Sequence, residues 1–315
     1  MRMAQISPKV GVDCSDARLD VHIYPLDTAF SVANDPEGWS ELDHRLAAVQ
    51  AEIVAVESSG GCERDVARFL MARAYAVRMV DPRVRQFAKA LGKLAKNDRI
   101  DAAIIAQFVA TVATRPLERH KHLERLAKLV NARTQLRDQV TANDNQARRR
   151  EDKLLKRLDT RRAKRLLADI AAIDMQVAEL IAADPELKAK NDILRSMKGV
   201  GPILAHTLIA LLPELGLLTR KQIAALVGVA PIEDQSGKRQ GLRYIQGGRP
   251  AIRGPLYMAA MVAGLYNPAL KIFKERLRAA GKKPKVAIVA VMRKMIAILN
   301  TLIKNNGKWE NRAIA

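Results

Sequence analysis

Cysteine is nearly absent from this chain of 315 residues: Cys14 and Cys62 are the only two. Two thiols cannot build a disulfide framework or a Cys-rich zinc site, which points to a reducing compartment. Aromatic side chains make up only 4% of the residues, too few for recognition built mainly on base stacking. No apolar run reaches the roughly 18 residues of a spanning helix, and residues 1–9 lack the apolar core of a signal peptide. A cytoplasmic protein with no membrane partner is therefore expected. The five histidines (His22, His44, His120, His122 and His206) have no metal-ligand spacing. Serine is scarce too: eight are present, and only Ser236 lies beyond Ser196.

Basic residues, by contrast, abound. Lys and Arg number 54 against 33 Asp and Glu, a formal charge of +21. The excess is unevenly spread. Residues 1–114 hold 14 basic and 15 acidic side chains, and residues 115–165 hold 17 and 7. Residues 166–235 hold 6 and 9, and residues 236–310 hold 16 and 2. A balanced head is thus followed by a basic segment, an apolar middle and a strongly basic tail. A tail almost without acids points to a polyanion, and nucleic acid is the first partner to expect. The length and the 49% hydrophobic content suffice for domains with real cores.

The head reads as α/β. Residues 10–14 and 19–24 are β-branched runs across a short polar turn, which predicts a hairpin. Helical spacing follows over 36–49, a compact strand over 52–57, a helix over 62–72 and a strand over 75–80. From Asn97 the pattern is helical. Basic helices over about 117–136 and 152–181 predict a hairpin or coiled coil that packs on one face and offers the other to phosphates. Residues 194–212 read as helix, Gly-Val-Gly turn and helix. This looks like a helix-hairpin-helix DNA-binding motif, whose tight turn would set Lys198, Gly199 and Gly201 beside a phosphate; an ordinary αα-corner fits the pattern as well. After it come a helix at 219–227, a Gly- and Arg-rich loop over 231–250, and two or three helices to Lys304.

Four acids carry the chemistry that this chain offers. Asp13 and Glu57 close apolar strands, and Asp98 with Asp101 stand i, i+3 on one helix face. Phosphodiester transfer needs charge neutralised on the phosphate, an activated nucleophile and a stabilised leaving oxygen. Two Mg²⁺ ions held by three or four carboxylates supply all three. Each acid alone has a plainer reading: Asp13 as a turn former, Glu57 as a strand-end residue, Asp98 and Asp101 as helix caps. The apolar settings of Asp13 and Glu57 favour a partner, since a charge beside a buried strand is costly without one. Asp20 reads as structural.

Val-Gly-Val-Asp13, Val-Glu57-Ser-Ser-Gly-Gly and Lys96-Asn-Asp98-x-x-Asp101-Ala, in this order, resemble the DEDD transposases of bacterial insertion sequences. Gly199-Val-Gly-Pro, Leu226-Val-Gly-Val-Ala-Pro, Ser236-Gly and the helix start that contains Arg253 look like that family's C-terminal domain. The resemblance spans about residues 9–310. It implies an α/β RuvC-like (ribonuclease H-like) catalytic domain over 1–114, a helical coiled-coil segment over 115–185 and a mainly α-helical transposase domain over 186–315. It implies Mg²⁺, or Mn²⁺ in its place, on Asp13, Glu57, Asp98 and Asp101, and Ser236 as nucleophile. It also implies donor and target DNA as substrates, a structured guide RNA encoded by the element, and a dimer or tetramer. Piv-type DNA invertases share the same two domains. Two positions depart from the family pattern: Asp16, where Lys is usual, and Gln246-Gly247 in place of Ser/Thr-Lys.

The residues around Ser236 suit that role. Lys238, Arg239, Arg243, Arg249 and Arg253 supply cations to position a phosphate and stabilise charge in the transition state. A serine hydroxyl is a weak nucleophile without a base or metal, and no His or Lys here forms an obvious triad. The rival readings are a hydrolytic junction nuclease that uses the same acids with water, and a non-enzymatic helix-hairpin-helix DNA-binding protein. The second leaves the four acids unexplained. An actin-like ATPase needs Gly/Thr-rich phosphate turns, which Asp13-Cys-Ser-Asp-Ala-Arg lacks.

Overall fold

The structure, a computed structural model, describes residues 7–58, 61–80, 84–92, 98–114, 121–236, 239–241 and 243–310. The chain divides into two compact units, Met1–Arg119 and His120–Ala315.

The first unit opens with strands β1 (Lys9–Cys14), β2 (Arg18–Tyr24) and β3 (Thr28–Ala33), followed by helix α1 (Pro36–Ala48). Strand β4 (Ile53–Glu57), helix α2 (Glu63–Ala72) and strand β5 (Ala76–Val80) come next, then helices α3 (Val84–Ala90) and α4 (Asp98–Thr111). The five strands make one mixed sheet in the order β3-β2-β1-β4-β5. β2 is antiparallel to β1 and β3, whereas β4 is parallel to β1 and β5. The tight β1–β2 turn is closed by the Ser15 hydroxyl, which donates to the Arg18 carbonyl (2.8 Å) and accepts from its N–H (3.1 Å). α1 starts where it should: Asp35 caps it by accepting from the Gly38 N–H at 2.8 Å, with Pro36 in the first turn.

Alternation along the strands builds two different faces. Val10, Val12, Val54, Val56 and Val77 point into one apolar cluster with Leu42, Leu46 and Leu70 of the helices. Ala55 and Val80 belong to a second cluster with Ile104, Ile105 and Val109 of α4. Gly11 explains how closely α4 approaches this second face. A Cβ there would stand 2.2 Å from the Ala102 carbonyl oxygen and 2.4 Å from the Ala106 nitrogen. Only glycine fits beneath the helix at that crossing.

The second unit is mainly helical. It contains α5 (Lys121–Ala147), α6 (Lys153–Ala183), α7 (Pro185–Arg195), α8 (Pro202–Leu211) and α9 (Arg220–Val227). A two-stranded ribbon, β6 (Gln235–Ser236) with β7 (Arg239–Gln240), precedes α10 (Pro250–Tyr266), α11 (Pro268–Ala279) and α12 (Pro284–Lys304). One apolar core joins Leu126 and Val130 of α5, Val177 of α6, Leu204 and Leu208 of α8, Ile223 of α9, Leu256 of α10 and Met295 of α12. α5 and α6 lie antiparallel. Arg133 forks onto Asp174 at 2.5 and 3.1 Å, and near the turn the Asn143 amide donates to the Asp159 carbonyl at 3.0 Å.

The sequence expectation that nothing reaches spanning length is corrected here. α12 is long and apolar enough to cross a membrane by length and composition, as are α10 and α11 taken as one pair bent by 94°. The apolar residues of α12 have a packing reason: Ala287, Val291, Met295, Ile296 and Leu299 are buried. On the same face the Asn300 amide donates to the Leu218 carbonyl (2.7 Å) and accepts from the Gly216 N–H (2.8 Å).

Candidate active site

Two of the four acids meet at the ends of adjacent parallel strands. The last β1–β4 pair is Val12 with Val56, so Asp13 and Glu57 each stand one position beyond it, side by side. By alternation both share the face of Gly11 and Ala55, over which α4 lies. Asp13 is half-buried and Glu57 is 8% exposed. α4 begins at Asp98, and Asp101, half-buried, directly precedes the Ala102 that crosses Gly11. The side chain of Asp98 lies outside the described residues.

A third carboxylate joins the row. Asp20 is the direct antiparallel partner of Asp13 and is 3% exposed. It is held from its own side, since Arg18 Nε donates to it at 2.9 Å and the Ser31 hydroxyl at 2.6 Å. The structural role expected of Asp20 is the one these contacts describe. The turn after β1 is tied to the start of α2 by Asn34, whose amide donates to the Ser15 carbonyl (2.8 Å) and the Cys62 carbonyl (3.2 Å). In turn the Trp39 indole N–H donates to Asn34 at 2.9 Å.

Crowded carboxylates make this end of the sheet electronegative. The Cys14 thiol, beside Asp13, has its pKa pushed far above its ordinary value. Burial is the main cause, and the charges of Asp13, Cys62, Glu63 and Glu57 add to it. Like charges on facing strands destabilise a sheet unless something positive answers them. Among the described residues no group of three His, Cys, Asp or Glu is close enough to hold one metal ion. The chemistry of the donor set nevertheless fits a hard divalent cation, because every candidate ligand is a carboxylate oxygen.

In the second unit Ser236 ends β6 and pairs with Arg239 of β7. Below them Asp234 accepts from the Gly241 N–H at 2.7 Å through its carbonyl, and Ile232 bridges Tyr244. The expectation of a plain loop over 231–250 is therefore corrected: part of it is a β-ribbon with the serine next to its turn. The ribbon escaped prediction because polar strands show no apolar alternation. Lys238 lies outside the described residues, and of Arg239 only the main chain is described. Arg243, exposed, pairs with Glu233 at 2.5 Å.

The remaining expected nucleic-acid contacts divide into open and occupied groups. Lys198 and Gly201 are exposed, and nothing lies within 4 Å of a Cβ built on Gly201. Gly199, at φ +106°, packs its α-carbon against α10, where a Cβ would come 2.5 Å from that of Ala263. Its glycine has a packing reason apart from any phosphate. Arg253 donates to the Gly247 carbonyl. Arg249 is committed within the protein: it forks onto Glu214 at 2.7 and 2.6 Å and donates to the Leu211 carbonyl at 2.8 Å. Arg249→Ala should cost about 2 kcal/mol, a usual value for partly buried hydrogen bonds between charged groups. In a unit of this size that lowers the melting temperature by roughly 4–8 °C. A melt unchanged while DNA binding weakens would return Arg249 to the phosphate contacts.

The chain is similar to known proteins over most of its length. Residues 10–156 match a family described as transposase, of the DEDD type found in the insertion element IS110, and residues 191–275 match the transposase IS116/IS110/IS902 family. The chain belongs to the DEDD transposase family of insertion sequences. It is 27% identical over 270 residues to the pilin gene-inverting protein of Moraxella bovis, covering 82% of this chain and 81% of that protein. The Moraxella lacunata protein of the same name matches equally well. An uncharacterized 43.6 kDa protein of insertion element IS110 from Streptomyces coelicolor is 26% identical over 143 residues, 45% of this chain and 34% of its own. As a DEDD transposase the chain is an enzyme of DNA recombination, and domains of this type generally use divalent metal ions.

Proposed function

We propose that this transposase exchanges DNA strands through a covalent serine intermediate, with Mg²⁺ on Asp13, Glu57, Asp98 and Asp101 and with Ser236 as nucleophile. The observation that carries the reading is the side-by-side placement of Asp13 and Glu57 beneath the helix that bears Asp101. That arrangement suits a RuvC-like catalytic domain over residues 1–114, followed by a helical segment over 115–185 and the transposase domain over 186–315. Bound divalent metal would neutralise charge on the phosphate and lower the pKa of a coordinated oxygen.

The residues of the chain do the rest. The Ser236 oxygen attacks phosphorus in line, its proton passes to a base, and the displaced strand leaves as a sugar hydroxyl. Attack by the hydroxyl of a new strand reverses the step and returns the serine. One phosphoester is made for each one broken, so rejoining needs no ATP. Arg239, whose main chain pairs with that of the serine in the ribbon, and Arg243 further along the chain hold the phosphate during both attacks. Lys198 and Gly201 at the α7–α8 turn grip the backbone without regard to sequence. As the resemblance to the family implies, site choice falls to a structured guide RNA whose loops pair with donor and target DNA. The active assembly is an oligomer of this chain.

Sequencing the RNA that co-purifies with the protein tests the guided part of this reading. One structured RNA complementary to both DNA sites is expected, and its removal should stop strand exchange while leaving the melting temperature of the protein unchanged. Equal exchange by RNA-free protein would place site choice in the protein itself.

A further inference from the structure

The first half of α6 carries a charge that its own hairpin leaves unbalanced. Between Lys153 and Arg165 seven residues are basic and one, Asp159, is acidic. Asp159 is 1% exposed and bound by Arg150 at 2.8 Å, so it answers a cation inside the hairpin. Lys153, Arg157, Arg161 and Lys164 are all exposed. They follow one another at i, i+4, i+8 and i+11, which lines them along one side of the helix. Asp159 and Ile170, both buried, lie on the opposite side.

Cations at i, i+4 repel each other, and this face has no acid to offset them. Elsewhere in the hairpin the sequence does provide partners, as Arg133 with Asp174 demonstrates. The exposed stripe thus weakens its own helix in exchange for a row of charges about 6 Å apart and about 16 Å long. Duplex DNA presents one phosphate charge per roughly 1.7 Å of axis, so such a row spans several phosphates. No aromatic residue occurs from 148 to 165, which removes the stacking platforms that hold unpaired bases.

We propose that Lys153, Arg157, Arg161 and Lys164 form a docking surface for the sugar–phosphate backbone of duplex DNA, used without sequence preference. It rests on the reading above only in taking DNA as the polymer, and it uses none of the catalytic residues. The test is the salt dependence of binding by the full-length chain with all four residues changed to Gln. Duplex DNA of arbitrary sequence is one probe, and duplex RNA of the same sequence is the other. The log–log slope on DNA should become shallower by about 3 to 4, close to 0.9 for each phosphate that is no longer neutralised. Exchanging Lys for Arg and Arg for Lys at the same four positions should keep the original slope, which separates an effect of charge from an effect on the fold. An unchanged DNA slope overturns the proposal, and a change confined to RNA reassigns the face to RNA. Asp13→Ala and Ser236→Ala proteins should keep the full slope while losing strand exchange, so failure of the catalytic reading would be seen separately.

Discussion

Asp13→Ala and Glu57→Ala should each lower strand exchange by about three to four orders of magnitude while the protein stays folded. The size follows from the proposed chemistry: each substitution would remove a carboxylate proposed to hold charge-neutralising metal against the phosphate, worth several kcal/mol in the transition state. Added Mg²⁺ should raise the melting temperature of the parent and do little for that of Asp13→Asn, because only the parent gains a bound ion on folding. Asp101→Ala should lose activity in the same way. Full exchange by the Glu57→Ala protein, or a parent whose melting temperature does not respond to Mg²⁺, would mean that these carboxylates serve the fold instead.

How much of this was legible in the sequence depended on distance along the chain. β1, β2, β4 and β5 announced themselves through β-branched runs, and α1 through its Asp35-Pro36 start. β3 was not expected, because Thr28, Ala29, Ser31 and Ala33 are exposed and only Val32 is buried. An edge strand of that kind has no apolar alternation to read. α3, only 7 residues long, is likewise too short to show a helical period. Asp13 and Glu57 could be picked out as acids closing apolar strands. That they lie next to each other depends on the parallel pairing of β1 with β4, set by contacts more than forty residues apart. Arg249 looked like a phosphate ligand for the same reason: its partner Glu214 lies 35 residues away. Gly199 was noticed as a turn residue, yet its close contact is with α10, which no local pattern announces.

Ser236→Ala should bind DNA as tightly as the parent yet form no covalent complex and exchange no strands. Its fold should survive, since the ribbon is held by main-chain pairing of Ser236 with Arg239 and Gln235 with Gln240, which the substitution leaves in place. Affinity should survive as well, because one neutral hydroxyl adds little beside the charge of Arg239 and Arg243. Chemistry alone should vanish. A transesterification that begins on the serine oxygen has no other atom to start from, whereas hydrolysis by a metal-bound water would continue without it. Denaturing a stalled reaction with the parent protein should leave DNA attached through a phosphoserine, and peptide mapping should place it at Ser236. DNA cut at undiminished rate by Ser236→Ala, with no adduct in the parent, identifies a hydrolytic nuclease. An adduct on any other residue shows that the nucleophile lies elsewhere in the chain.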